Sequence, residues 1–186
     1  MARIKLPLPD LVQAATLAFR THGYAGTSMA QLAAATGLTK GAFYHHFRDK
    51  GEVMEAALSA TLAFAEKRVF DPMRNEEQSV ADRADVMVKG AKRLFRDPGQ
   101  GCFVANTALA GGPDSQRFRP LLVAFMDGWR SALVVLAKAA KLPDEEGFAV
   151  RTIGDIEGAI VLMRVYRDRR YFDEALVRFR QNFPST

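Results

Sequence analysis

Cysteine occurs once in the 186 residues, at Cys102, and histidine three times, at His22, His45 and His46. A single thiol excludes an intramolecular disulfide and cannot build a cysteine zinc site. Adjacent histidines point about 100° apart on a helix, so His45 and His46 make no metal pair by themselves. No cofactor and no metal are expected. Long apolar runs are missing as well: no stretch approaches the roughly 18–20 uninterrupted apolar residues that a membrane span needs. Pro7, Pro9 and Asp10 interrupt the apolar core a signal peptide would require. A soluble, cytoplasmic chain without membrane attachment is the expectation. Also absent are a Gly-rich phosphate loop, a GxSxG elbow and a His-Glu-x-x-His pair. Asp155 and Glu157, two apart on a helix, face different directions and form no dyad. No enzyme is expected.

What is present is globular in composition, with 48% hydrophobic and 25% charged residues. The net charge is +5, unevenly placed. Residues 1–50 carry six basic side chains (Arg3, Lys5, Arg20, Lys40, Arg48, Lys50) against Asp10 and Asp49, and hold all three histidines. Residues 51–163 sum to −2, and residues 164–186 to +3. A small basic end on a near-neutral body is the electrostatic outline of a nucleic-acid reader carried by another domain. An ordinary basic protein with solvated faces has the same outline. The arginines of the tail (Arg164, Arg167, Arg169, Arg170) alternate with acids and suit an interface rim or a solvent face.

Strict alternation is rare, and helical punctuation is frequent. Asp10 is placed to cap a first helix with Leu11, Ala14, Ala15, Ala18 and Phe19 inward, ended by Gly23. His22 lies at its end, where a capping role fits. Thr27 or Ser28 can cap a second, with Met29, Leu32 and Ala33 inward and Gly37 as its stop. Thr39 can cap a third over Lys40 to about Phe47, and Asp49 can open a fourth that ends at Pro72. Further helices are expected over about 79–96, 102–110, 117–141, 145–166 and 171–182. Asp97-Pro98-Gly99-Gln100-Gly101, Gly111-Gly112-Pro113-Asp114 and Pro143-Asp144 separate them. The fold class is all-α, with about nine helices. A boundary near residue 50 divides an amino-terminal domain, 1–50, from a body, 51–186.

Residues 27–47 read as helix, glycine turn, helix. Gly37 can take the left-handed conformation that a sharp turn demands, and Leu38 plugs the angle. Phe43 and Phe47, four apart, bury together. That leaves Thr39, Lys40, Tyr44 and His45 near the opposite face, with Gly41 and Ala42 leaving room for close approach. Such a donor-rich edge suits phosphate and base-edge contacts in a major groove.

The segment from Leu38 to Phe47, followed by Asp49-Lys50-Gly51-Glu52, resembles the recognition helix and the start of the fourth helix of the TetR family of bacterial transcriptional regulators. Ala18-Phe19, Gly23-Tyr24, Thr27-Ser28, Gln31-Leu32-Ala33 and Gly37 resemble its first two helices. The likeness is strong over residues 9–56; beyond them only the helical pattern and the segment Gly101–Ala108 agree. The resemblance implies that Ser28 meets the phosphate backbone and that Thr39, Lys40 and Gly41 approach base edges or phosphates. It further implies that Tyr44, His45 and His46 contact phosphate or bases, and that Lys50 contacts phosphate. Ala30, where some relatives carry a long polar residue, cannot hydrogen-bond a base. Base reading then falls on Lys40 and the backbone around Gly41-Ala42.

The same resemblance implies a homodimeric repressor on a palindromic double-stranded DNA operator, with its recognition helices in successive major grooves about 34 Å apart. It also implies a small-molecule effector in the body. Phe64, Met87, Phe103, Asn106, Phe125 and Trp129 are the effector-lining candidates; core packing explains the large apolar ones equally. The stripes Ile153, Ile156, Ala159, Ile160, Met163 and Phe172, Leu176, Phe179, Phe183 suit a dimer of the last two helices. The fourth helix, residues 49–70, is expected to be the only link between reader and body. The alternative is a helical small-molecule-binding protein that does not read DNA.

Overall fold

Side-chain caps set most of the helix starts. Ser28 accepts a hydrogen bond from the Gln31 backbone N–H, and the Gln31 side chain accepts in return from the Ser28 N–H, a complete capping box. Thr39 Oγ1 accepts from Ala42 N–H at 3.2 Å, Asp49 Oδ1 from Glu52 N–H at 2.8 Å, and Ser79 Oγ from Asp82 N–H at 3.1 Å. The computed structural model describes residues 7–95, 99, 101–112 and 114–184. Arg3 and Lys5 of the basic end, and Asp97, Pro98, Gln100 and Pro113 of the expected breaks, lie outside the described residues.

The elements are α1 (Leu8–His22), α2 (Met29–Ala35), α3 (Lys40–Tyr44), α4 (Lys50–Ala65), a π-helical turn (Glu66–Phe70), α5 (Asp71–Arg74), α6 (Val80–Leu94), α7 (Phe103–Ala110), α8 (Ser115–Ala139), α9 (Glu145–Tyr166) and α10 (Arg170–Gln181). Since α4, the π turn and α5 run on without a break, these make nine helical segments and no strand among the described residues. Two boundaries differ from expectation. Asp10 sits inside the first turn of α1, because Pro7 supplies the cap and Pro9 the pre-set φ of an early helical position. Pro72 does not stop the fourth helix. Its missing N–H and its ring conflict with the regular ladder, and the widened turn, in which Asp71 N–H donates to Glu66 C=O, carries the helix on to Arg74.

Two compact units divide the chain. One holds residues up to Thr61 together with Phe103–Leu122; the other holds Leu62–Cys102 and Val123–Thr186. This division is not the single cut expected near residue 50, because α7 and the first turns of α8 return to the amino-terminal unit. Nor is the fourth helix the only link: α8 too has residues in both units.

The first unit closes over Leu11, Ala15, Phe19, Leu32, Phe43, Phe47, Val53, Met54 and Phe118, all buried. In the second, Gly90 of α6 and Gly128 of α8 each press on the π turn. A Cβ at Gly90 would stand 2.5 Å from Val69 Cγ2, and one at Gly128 would stand 2.5 Å from Glu66 Oε1. Arg74 ties the turn down, donating to Glu66 Oε2 at 2.9 Å and to the Gly128 carbonyl at 2.8 Å.

The apolar stripes of the last two helices are spent within the chain. Ile156, Ala159, Ile160 and Met163 of α9 are buried, as are Phe172, Leu176, Phe179 and Phe183, and Phe148 meets Phe183 edge-on at 5.8 Å. These buried side chains are not open to a second protomer, and Ile153 of the same stripe is half-buried. The apolar residues left outside on α9 are Val150, Val161, Leu162, Val165 and Tyr166. Among the described residues one helix, α8, contains a stretch long and apolar enough to cross a membrane, and 44% of that stretch is buried in the fold. Phe118, Phe125, Trp129, Leu133 and Leu136 are core residues.

Candidate nucleic-acid interface

The corner between α2 and α3 is built by backbone geometry first. Gly37 adopts φ +69°, its N–H donates to Ala34 C=O, and Leu38 N–H reaches back to Ala33 C=O at 3.1 Å. This closing pattern satisfies the last carbonyls of α2 and requires a left-handed residue, which glycine supplies without steric cost. Ala33 is buried at the crossing, and Leu38 is half-buried. The Phe43 and Phe47 rings meet at a tilt of 42° with their centres 5.2 Å apart, both residues buried. Anchored from one side, α3 turns its other side outward: Thr39, Lys40, Gly41, Tyr44, His45 and His46 are all exposed. Lys40 Nζ lies 5.9 Å from the Tyr44 ring centre, so the cation and the phenol occupy one patch. Tyr44 is 42% exposed.

Ser28 and Lys50 are already engaged. The Ser28 hydroxyl accepts from Gln31 N–H and donates to Gln31 Oε1 at 2.9 Å, so contact with a phosphate competes with the cap. Lys50 Nζ donates to the Tyr24 carbonyl at 2.8 Å and lies 4.3 Å from the Tyr24 ring centre. Lys50 thus holds the start of α4 to the α1–α2 corner. Tyr24 in turn donates its hydroxyl to Asp114 Oδ2 at 2.6 Å and meets the Phe118 ring edge-on at 5.1 Å. Burial, followed by the hydrogen bond to Asp114, pushes this phenol above its ordinary range and keeps it protonated. Arg117 completes the brace, forking to Asp49 at 2.9 Å and Glu55 at 2.7 Å. The Glu52 N–H, and then Arg117, hold the Asp49 carboxyl below its usual value.

One basic residue that the motif does not single out belongs to the same surface. Arg48 follows α3 with its side chain 88% exposed, and Glu52 meets it at 3.5 Å. Its only signal in the sequence is its charge. The effector candidates are divided between the two units. Phe103 and Asn106 belong to the first unit. Phe64, Met87, Phe125 and Trp129 belong to the second, where Met87, Phe125 and Trp129 are core and Phe64 is exposed. Among the described residues no group of three or more His, Cys, Asp or Glu side chains could hold a metal ion.

Residues 11–57 match the family described as bacterial regulatory proteins, tetR family. Over 197 residues the chain is 26% identical to the HTH-type transcriptional repressor DhaR of Mycobacterium sp. (strain GP1), covering 95% of this chain and 92% of that one. Over 51 residues it is 40% identical to the HTH-type transcriptional regulator TtgR of Pseudomonas putida, covering 27% of this chain and 24% of that one. Among solved structures, a TetR transcriptional regulator from Chloroflexus aurantiacus superposes with TM-score 0.76 at 26% identity, covering 93% of this chain and 91% of that one. A TetR transcriptional regulator from Legionella pneumophila gives TM-score 0.82 at 16% identity, covering 98% and 100%, a likeness of fold alone. The exposed α3 edge, the family match over the segment that builds it and the regulators that share the fold agree: residues 11–57 form the amino-terminal domain of the TetR family of bacterial regulatory proteins, and the chain is a DNA-binding transcriptional regulator.

Proposed function

We propose that this regulator is a cytoplasmic repressor that binds a palindromic operator as a homodimer and is released by a small-molecule effector. Residues 1–50 are the reader, and 51–186 hold the effector-binding and dimerisation functions. The observation that carries the reading is the outward edge of α3, where Thr39, Lys40, Gly41, Tyr44, His45 and His46 are exposed together while Phe43 and Phe47 are buried behind them. Polar side chains at the start of a short helix, backed by a rigid apolar anchor, can enter a major groove and reach base edges and phosphates. The name of the DhaR relative, a transcriptional repressor, supports the sign of regulation.

Support for the dimer comes from the outer face of α9. Gly154 and Gly158 have open space where a Cβ would stand, and Val161, Leu162, Val165 and Tyr166 continue the same exposed apolar region. Small residues beside exposed aliphatics let a second helix approach closely and remove apolar area from water. An effector that binds the body shifts operator affinity only by the difference in its affinity for the two conformations.

The test is protection mapping on the DNA flanking the gene, followed by gel shift with the mapped site. Tyr44→Phe and Lys40→Ala are expected to weaken operator binding by about 1–3 kcal/mol each while melting stays unchanged. Affinity should also fall steeply with salt. Unaltered operator affinity in both variants would remove α3 as the reading edge.

A further inference from the structure

A groove of about 260 Å³ runs between the α4–π segment and α6, lined by Phe64, Lys67, Arg68, Pro72, Val86, Lys89, Gly90 and Arg93. The spacing on both walls is helical. Phe64, Lys67, Arg68 and Pro72 follow one another by three or four positions, as do Val86, Lys89, Gly90 and Arg93, so each helix turns one stripe toward the groove. Phe64, Pro72 and Val86 offer an apolar floor. Lys67, Arg68, Lys89 and Arg93 are exposed cations, and no carboxylate among the described residues lines the groove.

The nearby acids are committed elsewhere. Glu66 and Asp71 pair with Arg74 at 2.9 and 3.1 Å, and Asp85 pairs with Arg180 at 2.5 Å. None of the four groove cations has an ion-pair partner among the described residues, although most other arginines of the second unit do. Four unneutralised cations in one concavity repel one another, and an anion seated among them relieves that repulsion. The close approach of α6 to the π turn at Gly90 brings the two stripes within reach of one small ligand.

The geometry points to this groove as the binding site for a small organic carboxylate with a single-ring apolar body. This rests on the effector reading above and names the chemical class of the effector. The volume takes one ring and one acid group, the floor supplies apolar contact for the ring, and the arginines and lysines supply charge-assisted hydrogen bonds to the carboxylate. Neither a bare anion nor a neutral ring uses both features.

The experiment uses the full chain with benzoate, its neutral isostere benzamide and inorganic phosphate as probes. Binding is read by calorimetry and thermal shift at constant ionic strength. Benzoate is expected to bind and raise Tm, benzamide and phosphate to bind at least tenfold more weakly. The Arg68→Gln/Arg93→Gln double variant is expected to bind benzoate at least tenfold more weakly with its own melting unchanged, since both side chains are exposed. Phe64→Ala is expected to lose affinity for benzoate but not for phosphate. Equal binding of benzoate and benzamide, or of benzoate and phosphate, overturns the proposal, as does unchanged affinity in the double variant. A drop in the operator affinity of the unliganded double variant also overturns it, by making the groove a DNA contact. Benzoate that binds as expected but leaves operator affinity unchanged keeps the site and rejects its role in release.

Discussion

The carboxyl of Glu157 lies half-buried beside Cys102, and its Oε1 makes no hydrogen bond. Burial pushes it above the ordinary carboxylate value of 4.5, and a hydrogen bond with the Cys102 thiol opposes that only in part. A raised folded pKa stabilises the fold at pH below the unfolded value and loses that stability as pH rises through the folded one. Glu157→Gln, which stays neutral, is therefore expected to raise Tm at pH 7–8 and to leave it unchanged near pH 4. Thermal melts across that range check it. Arg83 is the opposite case. Only 2% exposed, it donates from Nε to the Met73 carbonyl at 2.6 Å, while one terminal nitrogen has no partner. Desolvation drives its guanidinium below the ordinary arginine range, with Glu76 opposing. Arg83→Ala opens a cavity and strands the end of α5, a loss of about 2–3 kcal/mol; Arg83→Met keeps the volume without a buried charge and should recover part of it. Urea midpoints with unchanged m-values would show the order wild type, Met, Ala. Lys50, read from the sequence as a phosphate contact, is bonded to the Tyr24 carbonyl, so Lys50→Ala is expected to lower Tm.

At the scale of elements, glycines in similar helical surroundings have unlike roles. Gly90 faces Val69 at a distance no Cβ tolerates, whereas Gly154 and Gly158 face open space. Gly90→Ala is expected to destabilise by about 1–3 kcal/mol through overpacking. Gly154→Ala gains about 0.5–1 kcal/mol in the protomer from helix propensity. Denaturant unfolding of both variants at low protein concentration compares them directly. The π turn shows the same dependence on neighbours. Pro72 reads in the sequence as a stop, yet the helix continues because Arg74 bonds Glu66 and the Gly128 carbonyl across the widened turn. By contrast, Thr39 and Asp49 were legible as starts, and Ser28 as one of two candidates beside Thr27, because a cap is a local hydrogen bond three residues long.

At the scale of the molecule, the net charge of +5 is less informative than where it is unpaired. The arginines of the carboxy-terminal stretch are largely neutralised: Arg170 by Asp168, Arg178 by Asp155 and Arg180 by Asp85. Cations without an ion-pair partner among the described residues remain on the α3 edge and in the α4–α6 groove. The outer face of α9 sets the expected assembly. Leu162→Glu/Val165→Glu places two carboxylates there, so sedimentation should shift from dimer to monomer, and operator affinity should fall by at least tenfold as the paired half-sites are no longer read together.

The all-helical class, the caps of α2, α3 and α4, the glycine turn and the exposed edge of α3 were determined by the sequence itself, since each rests on side-chain and backbone contacts within about four positions. Tertiary structure alone decided where the apolar stripes of α9 and α10 go. A helix periodicity says which side chains share a face but not which partner covers it, and here α10 covers the stripe that would otherwise have been offered to a second protomer. It also decided that α7 and the start of α8 join the amino-terminal unit, through Tyr24–Asp114 and Arg117–Asp49 contacts separated by 90 and 68 positions. Pairings over such distances are chosen by packing, charge and chain closure together, and no local pattern encodes them.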